Sequence, residues 1–474
     1  MKITKLIAII LVLTSIAFAQ DRQQFIRTDA PLVALTNIRV IDGNGTAPIE
    51  NQTVVISGGK IVSVGATAST AVPNGSKVLD LAGYTVMPGL VGMHDHLFFP
   101  MGGNPPIYST MGTSFPRLYL AMGVTTIRTT GSVAPYTDLE IKRLIDSGQM
   151  IGPKMDATAP YLEGKGSFTP VMHELTGADD ARRMVNFWAD QGATSFKAYM
   201  NITRDELRAA VEEAHKRGLK VTGHLCSIGY REAAEIGIDN LEHGLFPNSE
   251  YVADKKPDVC PSGINQVLIN LDINGAAVQE TIRVLVEKKV AITSTLPVFE
   301  ANAPLAQTGI GAARALLNPR MLNTMSNDAR IRYLSARARI PTTAPVATAV
   351  RKSMDFERAF AKAGGLLIAG LDPTGNGGIV AGFGDLREVE LLVEAGFTPV
   401  EAIKIASLNG AKYLGRDSQI GSIAVGKAAD LMIVKGNPAA SIFDIENVEI
   451  VFKDGVGYDS EKLIQSVQGL VGVR

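Results

Sequence analysis

The chain is short of the residues that most often staple a fold or bind metal: 474 residues contain two cysteines, Cys226 and Cys260, and six histidines. Two cysteines exclude a disulfide scaffold, and a chain this long buries a large core without one. A formal net charge of −1 and an aromatic content of 6% point neither to a nucleic-acid partner nor to an anionic membrane surface. Beyond the N-terminal segment there is no unbroken apolar run of about 18 residues or more, so the mature chain is expected to be soluble rather than membrane-spanning. Internal repeats and low-complexity tracts are also missing.

The first residues differ from the rest. Lys2 and Lys5 precede the apolar run LIAIILVLTSIAFA, which closes on Ala17, Phe18 and Ala19. A charged region, an apolar region and a small-x-small site together read as a secretory signal over residues 1–19, with an uncleaved anchor as the alternative. The expected location is therefore outside the cytoplasm, periplasmic or secreted.

From residue 30 to 86 short alternating segments such as QTVVISGGKIVSVG are punctuated by Asp-Gly, Asn-Gly and Gly-Gly turns, the pattern of β-hairpins. Residues 416–460 repeat the pattern, so the two ends are expected to build one small β-sandwich. Between them, residues 87–415 alternate apolar strands with amphipathic helices. Strand candidates fall near 86–93, 122–128, 151–157, 193–199, 219–225, 238–243, 290–295 and 366–371. Eight strands, each followed by a helix, predict a (β/α)8 TIM barrel in an α/β chain. Two long connections, 244–289 and 297–365, are expected to shape a substrate pocket.

In such a barrel the chemistry lies at the C-terminal strand ends. His94 and His96 leave the first strand one residue apart, and period-two alternation points both imidazoles to one side, where they can share a metal ion. Lys197 ends the fourth strand, His224 the fifth, His243 the sixth and Asp372 the eighth. Asp95 should face away and be structural, and His173 and His215 should face solvent. Cys226, two residues after His224, is expected to be a packed thiol near the site, with a Cys226–Cys260 bridge as the alternative. The glycines of DPTGNGG read as a tight turn and a mobile loop above the site.

The stretches PGLVGMHDH, FKAYM, KVTGHL, LEHG and AGLDPTG, with the closing VGKAADLMIVKGNP, resemble the amidohydrolase superfamily over nearly all of the mature length. The resemblance implies two divalent metal ions, with zinc as the first choice: one held by His94, His96 and Asp372, the other by His224 and His243. Lys197, carboxylated to N6-carboxylysine, would bridge them, because an ammonium has no lone pair to offer. It further implies attack by a metal-bridging hydroxide, with Asp372 carrying the proton to the leaving nitrogen.

Within the superfamily the chain is similar to imidazolonepropionase-related proteins and to Xaa-Pro dipeptidase types. The strand-four lysine favours hydrolysis of amide bonds in dipeptides or N-acyl amino acids. The alternative is a mononuclear cyclic-amide hydrolase or deaminase with Lys197 unmodified, and an exported binding protein that has lost its chemistry is a more distant one. A substrate carboxylate would need a cation or donors, and Arg128, Tyr230 and Arg231 are the candidates. A small-molecule amide or peptide is the expected partner, and a homo-oligomer remains open.

Overall fold

The computed structural model describes residues 22–309 and 311–472; the segment read as a signal peptide lies outside them. Eight parallel strands pair in chain order: Leu90–Asp95, Val124–Thr129, Lys154–Leu162, Ser195–Ala198, Lys220–Gly223, Asn240–Glu242, Ala291–Ser294 and Leu367–Ala369. Each overlaps one of the apolar runs that predicted it. Strands buried on both faces read as continuous apolar runs, and helices on the outside supply the second face.

The first and eighth strands meet at the end of the barrel that carries the histidines. There the Asp372 backbone N–H donates to the His94 carbonyl at 2.9 Å. The approach is close enough that a Cβ on Gly370 would lie 2.3 Å from the His94 nitrogen. Only glycine fits there, so one absent side chain permits closure.

Local signals set the outer helices. The fourth barrel strand leads to helix Arg204–Lys216, whose N-cap Thr203 accepts from the Glu206 N–H while the Glu206 carboxylate accepts from the Thr203 N–H at 2.9 Å. This reciprocal capping satisfies two donors that a helix start otherwise leaves open. Gly218, at φ +68°, then turns the chain toward the fifth strand.

Strands from both chain ends form a second, nine-stranded sheet. Strand Leu431–Lys435 pairs with Tyr84–Pro88, which leads directly into the first barrel strand. Ile56 and Phe452, on strands far apart in this sheet, share one apolar core with Val33, Leu35 and Ile433. The sheet therefore folds over on itself as a small β domain beside the barrel.

The two long connections are largely helical. In the second, Glu300 is held from below by Arg387, whose Nε and Nη2 donate to its two oxygens at 2.8 and 2.7 Å. Arg387 also reaches Glu390 and Glu394. A buried charge needs such complete pairing, and here it fastens the connection after the seventh strand to helix Phe383–Glu394. The expected mobile loop is packed instead. A Cβ on Gly378 would lie 2.2 Å from the Tyr333 ring, and the Asn376 amide donates to the Ala301 carbonyl at 2.8 Å.

Candidate metal centre

His94, His96 and Asp372 bring one ligand atom each to within 4.8 Å of one another, and all three are buried. His96 Nε2 stands 3.5 Å from Asp372 Oδ1, and His94 Nε2 stands 3.7 Å from Oδ2. The other ring nitrogen of each histidine is occupied. His94 Nδ1 lies 2.7 Å from Glu242 Oε2, and His96 Nδ1 lies 3.1 Å from the Gly131 carbonyl. A carboxylate or carbonyl accepts only from a protonated nitrogen, so both Nε2 atoms carry the lone pair and face the centre.

His243 Nδ1 lies 2.8 Å from the Thr295 hydroxyl, which can donate or accept, and 3.8 Å from Asp372 Oδ2, while its buried Nε2 has no partner among the described residues. The His224 ring stands 4.4 Å from that of His243, centroid to centroid. Lys197 Nζ is 3.1 Å from His94 Nε2. The structure thus gathers Lys197, His224 and His243 beside the His94, His96 and Asp372 group.

Burial sets the protonation states. It holds the histidines neutral, lowering His224 to about 3 and His94, His96 and His243 well below the ordinary value, with the Lys197 charge adding to the effect at each. Burial brings Lys197 down to about 8 and pushes Asp372 up to about 6 against the pull of Lys197. Neutral imidazoles and an orphaned ring nitrogen suit a cation, so the donor set fits divalent metal.

The backbone is strained where it delivers two of these groups. His243 has φ +71° and Asp372 has φ +52°. Side-chained residues avoid this region, and such strain collects at functional sites. The turn at His243 lets the adjacent Glu242 and His243 both serve the centre, where plain strand alternation would have sent them to opposite faces.

Glu242 escaped the reading of the sequence, although it precedes a proposed ligand. Burial alone would raise its pKa, but Arg128, Lys197 and the Thr222 hydroxyl hold it below the usual carboxylate range. Arg128 Nη2 donates to Glu242 Oε1 at 2.7 Å and to the Asn240 side chain at 3.0 Å, and its Nε donates to the Met93 carbonyl at 2.9 Å. Thr295, Tyr161 and Tyr199 were likewise missed, since nothing in a strand-end pattern singles them out.

The three carboxylate-binding candidates are engaged elsewhere. Arg128 is fully buried and donates to Glu242. Tyr230 is fully buried too, and its hydroxyl donates to the Gly244 carbonyl at 2.7 Å, bracing the turn after His243. Arg231 is exposed, its backbone N–H donates to Glu250 at 3.0 Å and its Nε stands 3.6 Å from the same carboxylate, and it lines a surface depression with Glu232 and Lys255.

The expectation of a packed thiol is corrected: Cys226 is bonded to Cys260, which ties the loop after His224 to the first long connection. Asp95 is fully buried. His173 and His215 lie on the surface, where they pair with Asp180 at 3.1 Å and Asp239 at 2.9 Å.

A parallel barrel with buried imidazoles and a carboxylate at one end defines a metal-binding hydrolase of the barrel class. The chain belongs to the amidohydrolase family, whose model matches residues 85–456. Among solved structures, it is similar to a candidate prolidase from Bifidobacterium longum, at 25% identity and TM-score 0.67, over 92% of this chain and 99% of the other. A Xaa-Pro dipeptidase with bound methionine shares the fold at 21% identity and TM-score 0.66, over 90% of this chain and all (100%) of that one. A 59-residue stretch is 41% identical to the 5'-deoxyadenosine deaminase of Methanobrevibacter smithii, spanning 12% of this chain and 14% of that enzyme.

Proposed function

We propose that the protein is a metal-dependent hydrolase of amide bonds in dipeptides or N-acyl amino acids. His94, His96 and Asp372 would hold one divalent cation, zinc by preference, and His224 and His243 a second, with Lys197 carboxylated between them. The observation that carries this reading is the place of Lys197: buried, at the end of the fourth strand, within 3.1 Å of a ligand nitrogen. An amine lowered to about 8 by burial has an appreciable neutral fraction near neutral pH. Only the neutral amine adds to carbon dioxide, so burial favours the carbamate.

Bound cations would acidify a water and polarise the amide carbonyl. Asp372 takes up a proton as the new bond forms and returns it to the leaving nitrogen. The Thr374 hydroxyl donates to its Oδ1 at 2.8 Å, which leaves Oδ2 as the oxygen that exchanges protons. His94, His96 and His243 stay neutral and held by their Nδ1 contacts, so they keep their orientation through the cycle.

We place the enzyme outside the cytoplasm. The charged and apolar segment over residues 1–19 supports this, and so does the Cys226–Cys260 bridge, since disulfides persist in oxidising compartments.

A second reading keeps one metal and an unmodified Lys197, with deamination or cyclic-amide hydrolysis as the reaction. The local likeness to a deaminase favours it. Metal content decides between the two. Native protein prepared with zinc and bicarbonate should carry about two metals per chain and cleave dipeptides, and Lys197→Ala should lose both properties. One metal irrespective of Lys197 overturns the binuclear reading.

A further inference from the structure

Aromatic rings run in an arc from one set of histidines to the other. Phe98 stacks on His96 at 4.3 Å between centroids, and Tyr108 stands 5.1 Å from Phe98. On the other side Tyr161 lies 6.5 Å from His96, Tyr199 lies 4.9 Å from Tyr161, and His224 lies 4.9 Å from Tyr199. The arc continues outward, with Phe168 6.1 Å from Tyr199.

The chain builds this arc deliberately. Tyr108 sits on a hairpin, Phe98–Gly102 with Ile107–Thr110, inserted after the first barrel strand. Thr169 donates to the Pro106 carbonyl at 2.9 Å and so ties the hairpin to the loop that carries Phe168. Gly131, at φ +89°, leaves room for the Tyr161 ring, because a Cβ there would lie 2.4 Å from it. The same glycine offers its carbonyl to His96, so ring and ligand are set by one turn.

Two features suit this wall to a ligand rather than to packing alone. Among the described residues none of the three phenol hydroxyls, on Tyr108, Tyr161 and Tyr199, has a hydrogen-bond partner. On the loop and hairpin that carry this wall, Phe168 and Ile107 are 42% and 51% exposed. Phenol rings give apolar contact at low entropic cost, and their hydroxyls donate to a ligand oxygen.

We propose that Tyr108, Tyr161 and Tyr199 form the specificity-determining wall of the site and select amides whose side chain is aromatic or bulky and apolar. The rings pack on that side chain, and the hydroxyls donate to its carboxylate or carbonyl oxygens. With Arg128 and Arg231 engaged elsewhere, these hydroxyls replace the cation that a carboxylate-bearing substrate was expected to need. The proposal rests on the amide-hydrolase reading for its chemistry but is tested by binding alone.

The probes are N-(methylsulfonyl)-L-phenylalanine and N-(methylsulfonyl)glycine, inert tetrahedral analogues, titrated calorimetrically into zinc-loaded protein. The phenyl compound should bind at least tenfold more tightly. Tyr161→Phe and Tyr199→Phe should each weaken binding about three- to tenfold, as expected for one lost hydrogen bond, with metal content unchanged. Tyr199→Ala should remove most of the phenyl preference. Equal affinities, no binding by the native protein, or Phe variants that bind like it overturn the proposal. A native enzyme that keeps the preference yet hydrolyses no dipeptide or N-acyl amino acid overturns the amide-hydrolase reading and leaves this wall standing.

Discussion

Glu242 receives the Nδ1 proton of His94 at 2.7 Å, and that contact determines which His94 nitrogen faces the centre. Its other oxygen is held by Arg128 at 2.7 Å. Glu242→Gln keeps the size but removes the charge that Arg128 and His94 share. We expect metal affinity to fall about 10- to 100-fold, as is usual when a carboxylate behind a ligating histidine is lost. Competition with a chromogenic chelator measures it, and an unchanged affinity would mean that His94 is oriented by packing alone.

Gly370 should be intolerant of any side chain. Its Cβ would meet the His94 backbone nitrogen at 2.3 Å, and backbone cannot rotate aside as a side chain does. Gly370→Ala is expected to cost roughly 3 kcal/mol or more, at the upper end of overpacking costs. It should also loosen the Asp372 to His94 backbone bond that closes the barrel. Urea unfolding and metal content, measured together, should fall in parallel; full stability in the variant would refute the closure argument.

The barrel was legible because each strand is an apolar run bounded by turn residues, and because strand ends mark the active face. His94 and His96 were legible by alternation alone. Glu242 was not, because the left-handed backbone at His243 breaks the alternation that sequence reasoning depends on. The hydrogen bonds of Arg128 to Glu242 and of Tyr230 to the Gly244 carbonyl were not legible, since a charge or hydroxyl at a strand end looks the same whether it turns toward substrate or toward a buried acceptor. The tyrosine arc was invisible: its members come from a hairpin and two different strands, and only the fold brings them together.

Reduction should weaken the fold and the fifth-strand loop together. The Cys226–Cys260 bond closes a segment with a sequence separation of 34, next to His224. The chain-entropy relation for a loop of that size gives about 3 to 4 kcal/mol of stabilisation. Cys260→Ser should lower the thermal midpoint by several degrees and make it insensitive to dithiothreitol, whereas the native midpoint should drop on reduction. A native midpoint unmoved by reductant would show that the bridge constrains little.

Stability should carry a pH dependence traceable to Asp138. This residue lies in the first turn of helix Pro135–Asp146 and is buried, with the Ser132 hydroxyl donating to its Oδ2 at 2.6 Å. Burial raises its pKa from 3.8 to about 7, against the lowering effect of Ser132. Between those two values the folded state binds more protons than the unfolded state, so stability falls as pH rises through the window. The contribution is complete below pH 4 and lost above pH 7, and a shift of this size corresponds to about 4 kcal/mol at most. Other buried carboxyls, such as Glu163 at about 7 and Asp385 at about 8, slope the same way, so the native curve alone does not isolate Asp138. The difference between native and Asp138→Asn does: urea midpoints at pH 5 and pH 8 should differ less in the variant. Equal differences in the two proteins would mean that Asp138 ionises freely in the folded state.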